Sequence, residues 1–178
     1  VDPDRYRAVL SRFVTGVTVV TTLDDRDGVA RPFGTTVNAF SSVSLDPPLI
    51  LVTIGRERSI LPVLARTGRF AVSILAEEGQ ALSDCFAGGP SVAPREDFCG
   101  ARWHPSVNGQ PLLADALAWI SCELERTIEA GDHTIHLGRV VDLSLGQNEG
   151  WPLLYWRRQY LRIEHAASVA LQGKPDAT

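Results

Sequence analysis

What most constrains this chain is the order of its strand-like runs. "VTGVTVVTT" (residues 14–22), the stretch from Gly34, "PLILVTIG" (48–55) and "RFAVSIL" come first. "ALAWISCELERTIEAG", "HTIHLGRVVDLSL" and "PLLYWRRQYLRI" (152–163) follow. Each is rich in β-branched and aromatic residues, and the runs are punctuated by Gly, Pro and Asp. In the long "ALAWIS" run, Leu117, Trp119, Ser121, Glu123 and Glu125 alternate with Ala118, Ile120, Cys122 and Leu124, the period of a strand. "PLILVTIG" is almost continuously apolar and reads as a central strand. Helical patterns are few and short. Asp2 can cap a helix over 2–13, with Pro3 in its first turn and Tyr6, Val9, Leu10 and Phe13 on one side. "ERSILPVLARTG" reads as a helix with Ser59 at its N-cap, Pro62 in the first turn and Gly68 as its stop. "EEGQALSDCFAG" is a second short helix. Strands outnumber helices and do not alternate with them. That order predicts a mainly β fold, a closed barrel rather than a parallel α/β sheet.

The remaining segments are read as loop or tail. Residues 88–115 are rich in Gly, Pro and Ser and read as irregular. A single domain is expected over 1–165, with a disordered tail over 166–178. Three cysteines, Cys85, Cys99 and Cys122, form an odd set without metal-ligand spacing, which argues against a disulfide framework and structural zinc. A reducing, cytoplasmic setting is the default. The net charge is −4 with no basic run, so nothing points to nucleic acid. No apolar stretch of membrane-spanning length and no signal peptide is visible.

One segment does not fit a plain core strand. In "GTTVNAFSSVSLDPPLI", Thr35, Thr36, Asn38, Ser41, Ser42 and Ser44 occupy places where a buried strand would carry Val, Ile or Leu. Such residues can simply face water. The very apolar run that follows places them inside the sheet instead. After that run, "GRERS" opens a helix. Its free N–H groups, the Ser59 hydroxyl and the nearby Arg56 and Arg58 suit a phosphate. The polar strand would then line a groove for a phosphorylated ring system.

"TVNAFSSVSLDPPLILVTIGRERSILPVLARTGRFAVSIL" closely resembles the short-chain flavin reductase-like proteins, the reductase components of two-component flavin-dependent monooxygenases. The likeness continues through "LSDCFAG", "GDHTIHLGRVVDL" and "PLLYWRRQYLRI", over residues 5–163 and in the same order. It implies a split β-barrel of Greek-key type with two or three short flanking helices, and a homodimer with its sites at or near the interface. It implies an NAD(P)H:flavin oxidoreductase that uses FMN or FAD, takes its hydride from NADH or NADPH, and supplies reduced flavin to a separate oxygenase.

The resemblance also implies residue roles. Thr35, Thr36, Val37 and Asn38 would line the isoalloxazine, partly through main-chain groups, with Ser41 and Ser42 close by. Val52, Thr53, Ile54, Gly55, Arg56, Arg58 and Ser59 would take the ribityl chain and phosphate, with Arg58 and Ser59 nearest the charge. Phe86 would border the flavin or belong to the core. Family members often carry Asn where this chain has Ser73, which leaves any side-chain role there in doubt.

Four histidines are present: His104, His133, His136 and His165. His133 follows Gly131 and Asp132 at a strand start, a loop edge where binding residues collect. The family's "GDH" places it by the nicotinamide or the flavin. His136, three positions on, would point to the opposite side and is read as structural. No carboxylate or Cys partner at ligand spacing accompanies the histidines, so no metal site is expected. Tyr155, Trp156 and Arg157 combine aromatics with a cation. They suit either a dimer surface or the adenine and pyrophosphate of a pyridine nucleotide. No GxGxxG follows a strand, so the nucleotide needs a shallower groove than a Rossmann site. Direct hydride transfer requires neither a nucleophile nor a general base, in keeping with the lack of a Ser-His-Asp or Cys-His arrangement. The rivals are a single-component flavoprotein that keeps its FMN and acts on another small substrate, and a non-catalytic flavin store.

Overall fold

The structure is a computed structural model that describes residues 1–88 and 97–163. In chain order its elements are α1 (Pro3–Leu10), β1 (Thr15–Gly16), β2 (Thr18–Asp24), β3 (Arg31–Val37), β4 (Phe40–Leu45) and β5 (Pro48–Gly55). Then come α2 (Ile60–Thr67), β6 (Arg69–Ile74), a 3-10 turn (Glu77–Gly79), α3 (Gln80–Ala87) and a second 3-10 turn (Phe98–Gly100). The last are β7 (Trp103–Pro105), β8 (Pro111–Leu113), β9 (Ala118–Ala130), β10 (His133–Leu145), β11 (Leu154–Trp156) and β12 (Gln159–Leu161). The fold is mainly β, as expected. The disordered tail expected from residue 166, and His165, lie outside the described residues.

Seven strands form one antiparallel sheet in the order β3-β2-β6-β9-β10-β5-β4. Its two edge strands, β3 and β4, are consecutive in the chain and joined only by Asn38 and Ala39. A link that short forces the sheet to coil until its edges approach. The ladder stays open between β3 and β4, so hydrogen bonds do not close the sheet into the barrel that the strand order predicts. Val20, Val37, Val52, Ile54, Phe70, Val72 and Cys122 from the strands pack inside with Ile60 and Leu64 of α2. Gly138 on β10 makes this possible, because a Cβ there would collide with the Phe70 ring and Cys122. A second cluster, with Val17, Val19, Leu75, Phe86, Phe98, Leu113 and Leu153, sits under α3.

Local signals explain the helix ends. Asp2 accepts the Arg5 N–H at 2.7 Å, capping α1. Gly68 adopts φ 63° and donates its N–H to the Leu64 carbonyl at 2.9 Å, the left-handed stop of α2. Ser59 stands at the N-cap of α2, but its hydroxyl makes no capping bond.

Three expectations are corrected. The run 152–163 is not one strand but a hairpin, β11 and β12, that turns at Arg157 and Arg158 with φ 51° and 64°. The segment 88–115 is not wholly irregular, because β7 and β8 pair within it. Cys85 and Cys99 form a disulfide, with Cα atoms 6.0 Å apart, and Cys122 remains as a buried free thiol. Packing brings the pair together: Phe86 and Phe98, next to each cysteine, meet edge to face at 5.1 Å. An odd cysteine count could not reveal that meeting.

Candidate active site

A groove of about 900 Å³ lies between α1, the β3–β4 corner and the β11–β12 hairpin. Asn38, Ser41, Leu51 and Thr18 contribute to its floor. Tyr6, Leu10 and Phe13 line it from the α1 side. Tyr155, Trp156, Arg157 and Arg158 line it from the hairpin. Two bonds fasten hairpin to helix: Trp156 Nε1 donates to the Arg12 carbonyl at 3.1 Å, and the Arg157 N–H donates to the Ser11 carbonyl at 2.9 Å. The Arg157 guanidinium lies 4.7 Å from the Trp156 ring centre, a cation–π contact. Both arginines occupy the left-handed region, where a two-residue hairpin prefers Asn or Gly.

Strand β5 runs from this groove to the start of α2. Its side chains alternate: Val52 and Ile54 enter the core, while Leu51, Thr53 and Gly55 are half-buried on the outer face. Gly55 pairs with His133 and Thr53 with Ile135, so His133 shares that outer face. A Cβ on Gly55 would stand 3.8 Å from His133 Nε2. His133 Nδ1 lies 2.7 Å from Asp132 Oδ1. The hydrogen bond to His133 pulls the Asp132 carboxyl below its usual range, assisted by the charges of His133 and Arg7. An ionised carboxylate only accepts, so Nδ1 carries the proton. Arg7 of α1 also lines the groove.

At the α2 end, Arg56 forms an ion pair with Glu129. Arg58 Nη1 donates to the Ala87 carbonyl of α3 at 2.9 Å. With its hydroxyl free of any capping bond, Ser59 is the polar group there best placed for a ligand.

The other expected site residues are dispersed. Thr35 and Val37 turn their side chains into the core, leaving only main-chain groups for a ligand. Thr36 points the other way and donates to the Ser83 carbonyl at 2.6 Å. Ser42 is exposed and accepts, through its carbonyl, the Ser41 hydroxyl at 3.0 Å. Phe86 is buried against Gly34 and Phe98. Ser73 is buried and accepts the Leu113 N–H at 3.2 Å. His136 is enclosed between Thr127 and Thr134 hydroxyls, at 3.1 and 2.8 Å, and burial lowers its pKa. The fold therefore assembles Asn38 and Ser41 with Tyr155, Trp156 and Arg157, and separately Gly55, Arg58 and Ser59 with His133. Sequence reasoning missed Tyr6, Arg7, Leu10, Phe13 and Arg158. A signal existed: Tyr6, Leu10 and Phe13 fall on one side of the helix in the sequence, and these residues line the groove.

The profile of the flavin reductase like domain matches residues 10–164. This chain belongs to that family. It is 41% identical over 176 residues to the HsaB reductase subunit of a flavin-dependent monooxygenase from Rhodococcus jostii, covering 99% of this chain and 86% of that protein. It is 42% identical over 165 residues to an NADH flavin reductase from Kitasatospora aureofaciens, covering 91% and 82%. The NADH:FAD oxidoreductase of Streptomyces globisporus, solved with NAD and FAD fragments, superposes with a TM-score of 0.81 at 34% identity, over 94% of this chain and 98% of that one. The flavin reductase chain described here is an oxidoreductase by family, and flavin and nicotinamide nucleotide are its cofactor classes. None of its described helices is long and apolar enough to cross a membrane.

Proposed function

We propose that this chain takes a hydride from NADH or NADPH onto FMN or FAD in the groove beneath α1 and hands the reduced flavin to a separate oxygenase. The observation that carries the reading is the groove itself. Its volume of about 900 Å³ suits a ligand of this class, and its floor is the Asn38–Ser41 corner that the polar sequence segment predicts. When bound, flavin supplies the two-electron chemistry. The chain's own groups do the rest. Main-chain groups of Thr35, Thr36 and Val37, with the Asn38 and Ser41 side chains, hold the ring system. Along β5, Thr53 and Gly55 on the outer face, with main-chain groups of Val52 and Ile54, guide the ligand towards Arg58 and Ser59, whose charge and unengaged hydroxyl meet a phosphate. His133, held by Asp132, orients the nicotinamide, and Trp156 with Arg157 holds its nucleotide end.

Two further features belong to the same reading. Leu45, Leu143 and Leu145 on β4 and β10 are 92%, 66% and 84% exposed. Apolar surface of that kind supports a homodimer built on these strands. The oxygenase partner is supported by the relatives that are monooxygenase reductase subunits. Residues 1–165 act as one domain, in the cytoplasm. The test is loss of the reduced-nicotinamide absorbance with purified protein, with and without added FMN or FAD. Oxidation accelerated by flavin is expected. A rate no higher than the non-enzymatic one, with either nucleotide and either flavin, overturns the reading.

A further inference from the structure

We propose that Cys85 and Cys99 form a reducible clasp on α3, and that flavin affinity follows the redox state of this pair. The inference rests on the flavin-reductase reading and adds regulation to the same site. Three contacts join α3 to the segments assigned to flavin. Thr36 Oγ1 donates to the Ser83 carbonyl at 2.6 Å. Arg58 Nη1 donates to the Ala87 carbonyl at 2.9 Å. The Phe86 ring lies so close to Gly34 that an added Cβ would come within 2.7 Å of its Cε1. All three fall within residues 83–87, and Cys85 stands at the centre of that span.

The disulfide ties this span to the 3-10 turn at Phe98 and Cys99, two residues held at φ 46° and 60°. Phe86 and Phe98, the neighbours of the two sulfurs, meet edge to face at 5.1 Å. The cross-link thus closes over the aromatic contact that seats α3 on β3. Both cysteines are half-buried. The third, Cys122, is fully buried, and burial pushes its thiol up to about 12. The Cys85–Cys99 pair is therefore the sulfur that solution reagents reach first.

Reduction needs a dithiol. One of its thiolates attacks a sulfur of the pair, breaking the protein S–S bond and forming a mixed disulfide. Its second thiolate then displaces the remaining protein sulfur. Two electrons and two protons pass to Cys85 and Cys99, and the dithiol leaves as its own disulfide. Without the cross-link α3 loses its tie to the Phe98–Cys99 turn and is held less firmly, and ligand binding must supply the ordering.

The experiment uses the full chain. Thiols are counted with Ellman's reagent under native conditions, before and after treatment with dithiothreitol and its removal. FMN and FAD are titrated by flavin fluorescence in both states, beside NADH turnover. The expected result is two additional thiols after reduction and flavin binding weakened roughly 3- to 10-fold. Cys85→Ser with Cys99→Ser should show the weaker affinity and ignore dithiothreitol. The wild-type comparison needs no substitution, so a variant that fails to fold leaves the test intact. Free thiols at both positions in air-oxidised protein overturn the proposal, as does equal affinity in the two states. Flavin binding and turnover present but insensitive to reduction remove the clasp and leave the function standing. Absence of both in either state removes the function, and the clasp with it.

Discussion

Gly34→Ala probes the contact that fixes β3 against α3. A Cβ at this position would lie 2.7 Å from Phe86 Cε1, 2.9 Å from Cδ1 and 3.4 Å from Cζ. Carbon atoms pack comfortably at about 3.5–4.0 Å, so the ring must retreat by roughly 1 Å. It has little room: Phe98 stands edge to face behind it, and Cys85 beside it is cross-linked. Overpacking of this kind costs about 1–3 kcal/mol. Replacing Gly in a strand returns about 0.5–1 kcal/mol through the unfolded state. The net expectation is a loss of about 1–2 kcal/mol. Urea unfolding should show a midpoint lowered by about 0.5–1 M at unchanged slope. The same substitution in a Phe86→Leu background should cost less, by at least about 0.5 kcal/mol, because the shorter side chain makes room. Flavin affinity should fall in Gly34→Ala, since Thr36 and its bond to Ser83 lie two residues on. A variant as stable as the parent, or one equally costly in both backgrounds, refutes the steric argument.

The other expectations concern single groups. Arg58→Ala with Ser59→Ala should weaken flavin binding by about 1.5–3 kcal/mol, the value of charge-assisted hydrogen bonds; Ser59→Ala alone should leave thermal stability unchanged, because its hydroxyl makes no capping bond. Equal flavin affinity in the folded double variant would place the phosphate elsewhere. His133→Ala should raise the KM for NAD(P)H and slow reduction with much less effect on flavin titration; unaltered nicotinamide kinetics would return His133 to a structural role. Arg157→Asn with Arg158→Gly should raise stability by about 1–2 kcal/mol, since both positions are left-handed, while raising the KM for NAD(P)H. A destabilised hairpin variant would count against stored strain. Burial lowers the His136 pKa, so the unfolded chain takes its proton first as pH falls. Stability from this group is therefore present above about pH 6.5 and lost as pH falls below it. Thermal unfolding across that range should fall more steeply in the parent than in His136→Gln, and parallel curves would exclude the effect.

Where a signal was local, the sequence could be read closely. The apolar run 48–55 is β5 to the residue, and Gly68 ends α2 because a left-handed carbonyl-capping position tolerates glycine. The long alternating runs near the end of the chain became β9 and β10. The run 152–163 failed the same test. Its composition is strand-like throughout, and its turn residues are arginines rather than Asn or Gly, so nothing in the local chemistry marks the reversal. It is held by long-range contacts: Trp156 and Arg157 to the carbonyls of Arg12 and Ser11, β11 to β1, and Tyr160 to Ser83.

By itself, the sequence determined a mainly β architecture and the family. Those rest on residue types and spacings within short segments, where propensity and periodicity act. Only the tertiary structure decided which groups share a wall. It turned Thr35 and Val37 inward, set α1 over the groove, faced His133 towards Gly55, and joined Cys85 to Cys99. These outcomes follow from the coiling of one sheet and the packing of Phe86 on Gly34. Such contacts lie tens of residues apart, and no local pattern records them.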